Sequence, residues 1–264
     1  MNKALFASTM LRTYKLFSIF TALILFYLIV IISMFSSSAE SDPFEMLPEA
    51  MRDAFGMGEG MSGLTGFIAT GFYGVTFVLF MIILCIIAAN QLMASLVDRG
   101  SMAYLLATPV SRSKVAVTQA SVLIAGLFGL VLVSTLAGIA AVPVLIENAD
   151  FNRSAFIQIN IMGFLLFFVI SGYAFLFSSL FNDAKQSLVA SGGLSAAFYL
   201  FQMLSNMSEN LEWLDYLTVL TLFQPTEIAA GEADIWPNAI GLGLAGSLLY
   251  ALAVYIFKRR DLPL

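Results

Sequence analysis

Residues able to do chemistry are scarce in this chain, and one group of them interrupts the oil. Between two long apolar runs, the stretch from Leu96 to Val115, LVDRGSMAYLLATPVSRSKV, collects Asp98, Arg99, Arg112 and Lys114 around Pro109. Two readings of such a segment compete: the cations are orientation signals and the apolar side chains rest on the bilayer surface, or this is a short rigid element pressed into a partner protein. Its charges do not suit catalysis. The chain has no histidine, the commonest general base and metal ligand, and its one cysteine, Cys85, lies inside an apolar run. A single cysteine also excludes an intramolecular disulfide. No G-x-x-x-x-G-K-S/T phosphate loop occurs, nor a soluble stretch long enough for a nucleotide-binding domain. No cofactor, metal or nucleic-acid partner is expected of this chain.

The elements that must position those charges belong to a membrane. The 264 residues are 60% apolar and 11% charged, with a mean hydropathy of +0.92, far from the soluble mix of about 45–50% and about 25%. A helix needs about 20 mostly apolar residues to cross the hydrocarbon. Uncharged runs of that order lie at Leu16 to Phe35, Gly71 to Leu92, Val117 to Leu145, Ala155 to Phe181, Ser187 to Met207 and Ala239 to Phe257. They lack two-residue alternation, so helices rather than a closed barrel are expected. The reading is an all-α integral membrane protein with six transmembrane helices in one domain, residues 1–264. The first run is longer than a secretory signal core, although Ser36, Ser37, Ser38 and Ala39 offer small residues for cleavage, and it is read as a retained anchor.

Assigning the connections alternately to two sides places ten of the twelve cations on one side and 14 of the 17 acidic residues on the other. By the positive-inside rule the cation-rich side is cytoplasmic, and it holds both termini and the segment from Leu96 to Val115. Ahead of the first span, Leu5, Phe6, Met10 and Phe17 fall near one helical face while Lys3, Arg12 and Lys15 lie largely off it. That pattern suits a short amino-terminal helix lying in the interface, or an ordinary positive flank.

On the outer side, Ser36 to about Thr70 carries six acidic residues and Gly56, Gly58, Gly60, Gly63 and Gly66, which predicts a flexible anionic loop. The connection from Ser208 to Asn238 contains YLTVLTLFQP, too short to cross and too oily to be freely solvated, flanked by Trp213, Tyr216 and Trp236. A short segment dipping into the outer leaflet is expected there, with an interfacial loop as the alternative. Within the runs no Asp, Glu, Lys or Arg lies centrally, which disfavours an ion-driven carrier or an intramembrane enzyme. Asn90, Gln91, Asn160 and Gln202 are read as interhelical hydrogen-bonding groups. Ala239, Gly243 and Ser247, with Ser191, Gly192, Gly193, Ser195 and Ala196, permit close helix contact within one chain or between two.

Between the second and third spans, Met102, Leu105 and Leu106 share a face, Asp98, Arg99 and Ser101 lie mostly on another, and Pro109 ends the helix. DRGSMAYLLATPVSRSKVAVTQ resembles the signature of type-2 ABC transporter permeases, in which an acidic residue and a glycine precede a short helix, then Pro-Val-Ser-Arg and the next span. The tail FKRRDLPL is similar to the end of many members, and the six-span plan agrees. Many members have Glu where Asp98 stands and Lys where Gln119 stands. The resemblance implies that the short helix is a coupling helix seated in a groove of a cytoplasmic ATPase. Asp98, Arg99, Tyr104, Leu105, Leu106 and Arg112 would then form that interface, bordered by Lys3, Arg12 and Lys15 of an amino-terminal helix. It also implies two ATPase subunits that bind the ATP and Mg, and a second permease, identical or a paralogue, with a homodimer preferred.

The expected function is therefore a multi-pass permease of a bacterial plasma membrane, exporting an amphipathic or hydrophobic substrate such as a peptide toxin, an antimicrobial peptide or a drug. Lipid, polysaccharide or sodium export on the same fold stays open. So does a non-transporting sensor or scaffold that docks an ATPase. No substrate-binding residue is assigned.

Overall fold

The computed structural model describes residues 2–37, 63–102, 110–146 and 150–260, and every element among them is helical. Helix α1 (Lys3–Ser37) is followed by the short α2 (Gly63–Ile68), a π-helical turn (Ala69–Tyr73) and α3 (Thr76–Leu92), which a break at Met93 separates from α4 (Ala94–Asp98). Then come α5 (Arg112–Leu145), α6 (Arg153–Leu180) and α7 (Ala184–Met207). Two 3-10 turns (Glu209–Leu217 and Leu220–Leu222) and α8 (Pro225–Ala230) lead into α9 (Ile235–Arg259). Six helices are long and apolar enough to cross a membrane: α1, α3 continued through α4, α5, α6, α7 and α9.

Each of the six expected runs lies within one of these helices or overlaps it, but most helices outrun their apolar stretch because polar caps, not the edge of the oil, decide where they begin. Ser111 accepts the backbone N–H of Lys114 at 3.4 Å, Asn152 that of Ala155 at 3.1 Å, and Asp183 those of Lys185 and Gln186 at 2.6 and 3.3 Å. Each side-chain oxygen satisfies an N–H that has no partner inside its helix.

Two expectations need correction. The amino-terminal helix is not a separate interfacial piece: α1 runs unbroken for 35 residues, about 52 Å at 1.5 Å per residue, because no Gly or Pro interrupts it. The outer loop expected up to Thr70 is already helical from Gly63, and Leu64, Phe67, Ile68 and Phe72 are buried. Gly63 starts that helix with a φ of 75°, and Gly66, read with it as loop, lies inside the helix. The acidic part of the loop, 38–62, lies outside the described residues.

Helix α6 is the hub, packing against α3, α5, α7 and α9. Three phenylalanine rings fix the pairings by lying directly on helical glycines of a neighbour. Phe17 of α1 covers Gly126 of α5, Phe156 of α6 covers Gly138 of α5, and Phe168 of α6 covers Gly246 of α9, so that a methyl group at any of these glycines would overlap the ring. Small residues let helices approach where lipid supplies no hydrophobic drive between them. Of the small residues read from the sequence, Gly192, Gly193 and Gly243 instead face open space. Ser195 and Ser191 are buried, and the Ser195 hydroxyl lies 2.5 Å from that of Tyr173.

Where the π-turn and Val75 bend the second span, Phe72, Tyr73, Phe77, Phe156 and Phe167 form a fully buried ring cluster, with centroids 4.7 Å apart for Phe72 and Tyr73 and 5.5 Å for Phe77 and Phe167. The segment between α7 and α9 folds onto this cluster: Leu220, Phe223 and Ile228 are buried, and α8 packs on α6 and the π-turn. The part from Leu220 to Ile228 is thus covered by protein, whereas Trp213, Tyr216 and Leu217 of the first 3-10 turn are exposed.

Gly246→Ala is expected to destabilise the bundle by about 1–3 kcal/mol through overpacking against Phe168. Gly243→Ala, one turn away and facing nothing, should leave the thermal midpoint in detergent unchanged or slightly raised. Fluorescence-detected size-exclusion after heating measures both.

Candidate functional site at the termini end of the bundle

Both chain ends meet at the start of α5. The Asn2 side chain accepts the N–H groups of Ala4 and Leu5 at 3.1 and 3.2 Å, capping α1. Its own N–H donates to Thr118 Oγ1 at 3.0 Å. At the other terminus, Arg112 Nη1 donates to the Arg260 carbonyl at 2.7 Å.

Arg260 in turn ties three helices together. Its Nη1 donates to the carbonyls of Ser179 at 2.6 Å and Phe181 at 3.1 Å, and its Nη2 to Asn182 Oδ1. The carbonyls ending a helix lack intrahelical partners and carry the negative end of its dipole. A planar guanidinium reaches several such acceptors at once, which an ammonium does not. Burial lowers the Arg260 pKa from its ordinary value, yet a guanidinium stays charged at neutral pH. The end of α9 is thereby clamped to the end of α6, and the start of α5 to both. Nearby, Asn90 Nδ2 donates to the Ala184 carbonyl at 2.7 Å, joining α3 to α7.

The segment between the second and third spans leaves from this platform. Helix α4 ends at Asp98, and Gly100, at φ 68°, turns the chain in the left-handed conformation that closes helices. Val97 is buried, Asp98, Arg99 and Gly100 are exposed, and Met102, one of the expected apolar-face residues, is fully buried. Tyr104, Leu105 and Leu106 lie outside the described residues. Arg112 is half-buried and held in the clasp with Arg260, whereas Lys3, Arg12 and Lys15 are exposed on α1. Among the sequence-derived candidates, Asp98 and Arg99 therefore stand together at the end of α4, and Arg112 sits at the foot of α5.

Arg260 escaped the sequence reading as anything more than one of the tail cations. The signal was the tail FKRRDLPL itself, whose third cation falls just past the last helical turn, where unpaired carbonyls of another helix must be met. Gln119 was noted only as a departure from the resemblance, yet it is 1% exposed and its Oε1 has no hydrogen-bond partner.

At the opposite end, Tyr73, Tyr199, Gln202, Phe223 and Gln224 line a cavity of about 180 Å3 with no charged residue in its wall. Asn160 Nδ2 donates to the Phe156 carbonyl of its own helix at 2.8 Å, and its side chain also meets the Tyr73 hydroxyl of the second span. Trp213, Tyr216 and Trp236 are well exposed on that face. Among the described residues no cluster of three or more His, Cys, Asp or Glu is placed to hold a metal ion.

A bundle of six apolar helices long enough to cross a membrane, with an exposed charged turn between the second and third, defines a multi-pass membrane protein. Its family is shown by comparison: the chain belongs to the family described as ABC-2 family transporter protein, whose model matches residues 7–262. Members are membrane transport subunits and not themselves ATPases. No curated protein matches the chain.

Arg260→Ala is expected to lower stability by about 1.5–3 kcal/mol, the scale of hydrogen bonds to charged groups. Arg260→Lys should recover only a minor part, because an ammonium cannot span the same fork of acceptors. Thermal unfolding of the detergent-solubilised protein checks this. Asn182→Ala added to Arg260→Ala should cost less than it does in the wild type.

Proposed function

We propose that this chain is the permease subunit of an ATP-driven exporter, working as a homodimer with two cytoplasmic ATPase subunits that bind the ATP and Mg. The observation carrying this reading is the match to the ABC-2 family over residues 7–262, in a chain that has no phosphate loop of its own. The energy source then has to sit on another subunit, and the exposed turn at Asp98 and Arg99 is the docking element. The lopsided cations favour a cytoplasmic position for the termini end, and a bacterial plasma membrane is the proposed location.

Helix α7 supports the dimer and the path. It is both the least buried and the least apolar of the six spans, although a helix turned toward lipid gains most from being apolar. Its open side, with Gly193, Ala196 and Asn206 beside Val189, Leu200 and Leu204, fits a second copy and a cleft between the two. A lining of that mixture suits an amphipathic or hydrophobic cargo, such as a peptide toxin, an antimicrobial peptide or a drug. ATP drives transport only by favouring one of two arrangements of the spans over the other.

Asp98→Ala combined with Leu106→Ala should weaken recovery of the ATPase subunit in detergent pull-downs by about tenfold, a loss of about 1.4 kcal/mol, while membrane insertion is unchanged. In a Cys85→Ala background, Tyr104→Cys should react with an impermeant thiol reagent only after the membrane is opened. Reaction in intact cells would refute the orientation and with it the docking role. Accumulation of an amphipathic peptide in vesicles holding the reconstituted complex separates the exporter from a scaffold, for which ATP hydrolysis would ignore the peptide and nothing would accumulate.

A further inference from the structure

A second cavity, of about 200 Å3, lies at the termini end between α1, the junction of α3 and α4, and α5. Its polar wall is made by Thr9, Arg12 and Thr13 of α1, Gln91 of α3 and Gln119 of α5, and Leu96 of α4 closes one side. Arg12 is the one charged residue among those lining it, with no carboxylate opposite.

The level of the cavity follows from the apolar runs. Arg12 precedes the run that starts at Leu16, Gln91 is next to last in the run that ends at Leu92, and Gln119 is just inside the run that starts at Val117. All three spans pass from oil to polar side chains at this cavity, which sets it at the headgroup layer. On the cavity's own face of α1, two and three turns beyond Arg12, Ile19 and Leu23 are 58% and 44% exposed, an apolar surface reaching from the cavity toward the membrane interior.

Two demands inside it are unmet. Gln119 is 1% exposed and its Oε1 is buried with no donor, a destabilising arrangement that persists only where something answers it. Thr13 spends its hydroxyl hydrogen on the Thr9 carbonyl at 3.0 Å and offers Gln119 nothing. Arg12 carries a guanidinium that seeks a phosphate or carboxylate. One ligand chemistry meets both demands: a phosphate ester whose alcohol bears an N–H or O–H. The phosphate oxygens accept from Arg12, and the ammonium or hydroxyl donates to Gln119. Choline, with no N–H, meets only the first.

We propose that this cavity is a structural phospholipid site that selects phosphatidylethanolamine or phosphatidylglycerol over phosphatidylcholine. It is occupied from the leaflet around the termini end, with the acyl chains running along the Ile19 and Leu23 side of α1. Pockets between spans at a charged membrane face are known places for lipid headgroups. The site goes beyond the transport reading and stands whatever the cargo is.

The test uses full-length protein, stripped of lipid in detergent and titrated separately with phosphatidylethanolamine, phosphatidylglycerol, phosphatidylcholine, glycerophosphoethanolamine and inorganic phosphate. Retained molecules are counted by native mass spectrometry, and the thermal midpoint is followed in parallel. In the wild type, phosphatidylethanolamine and phosphatidylglycerol should bind about tenfold more tightly than phosphatidylcholine and raise the midpoint. Gln119→Leu removes the unanswered carbonyl, so it should raise the midpoint of the lipid-free protein while abolishing the preference among headgroups. Arg12→Gln should weaken all three lipids about tenfold and keep the preference.

Equal affinity for the three lipids in the wild type would overturn the proposal. Binding of glycerophosphoethanolamine or inorganic phosphate as tight as that of the lipids would overturn the lipid source. A loss of ATPase recovery in Arg12→Gln and Gln119→Leu with lipid retention intact would assign the cavity to a protein interface instead, and would also overturn it.

Discussion

Helices in lipid gain nothing from hiding oil against oil, because the solvent is already oily, so a bundle of six must be held by contacts that lipid cannot imitate. Here that contact is a phenylalanine ring laid on a neighbour's glycine. Phe17 on Gly126, Phe156 on Gly138 and Phe168 on Gly246 join α1 to α5, α5 to α6, and α6 to α9. Each removes a Cβ from one helix and fills the gap with a flat, rigid surface from another, so the two backbones come close without voids. Hydroxyl pairs add direction to the fit. Tyr250 donates to Ser171 Oγ at 2.7 Å, and the hydroxyls of Ser178 and Ser187 lie 2.9 Å apart. The same economy explains the absence of acid or base at depth. Nothing in this packing needs a charge, and a charge there is costly.

What holds the ends is different. Beyond the oil the helices have unpaired carbonyls and N–H groups, and the termini end solves this with long polar side chains that cross from one helix to the next. Arg260 answers the carbonyls at the end of α6, and Arg112 answers the carbonyl of Arg260. On the proposed reading, Arg112 has a mechanical consequence. It stands at the C-terminal foot of the docking segment, so a push on that segment is passed through one hydrogen bond to α9 and through the Arg260 fork to α6. Helix α6 is the hub of the bundle, so displacement there reaches α3, α5, α7 and α9 together. A partner pressing on a few exposed residues can then bias the arrangement of all the spans without any of them carrying chemistry.

The spans were legible because hydropathy is a sum over many residues, and no single contact can overturn it. The register of helix ends was less so. The unbroken course of α1 depends on an absence, since no residue between Lys3 and Ser37 stops a helix, and a reading tuned to breaks in hydropathy divides it at the interface instead. The helix beginning at Gly63 was hidden for the opposite reason. Its glycines look like loop, and only burial against α1 and α8 makes them helical. Arg260 and Gln119 belong to a third kind. Their roles depend on which carbonyl or which empty space lies opposite, set by pairs of residues up to 148 apart in the chain, and composition carries no trace of that.

Helix α7 connects these points. Its buried side is a line of serines, Ser187, Ser191 and Ser195, and two of them meet hydroxyls of α6. Such a helix is attached to its own chain by hydrogen bonds at one stripe, with few large apolar side chains locking it in place. Polar stripes of this kind are satisfied at one register and resist small slips, yet they bury little surface to oppose a larger separation. A span held in that way is suited to move as a unit against the rigid, ring-packed core of α3, α5, α6 and α9. Those buried serines help to make it the least apolar of the six spans. On the proposed reading, a helix held by that one hydroxyl stripe is the element suited to shift, against an aromatic core that stays.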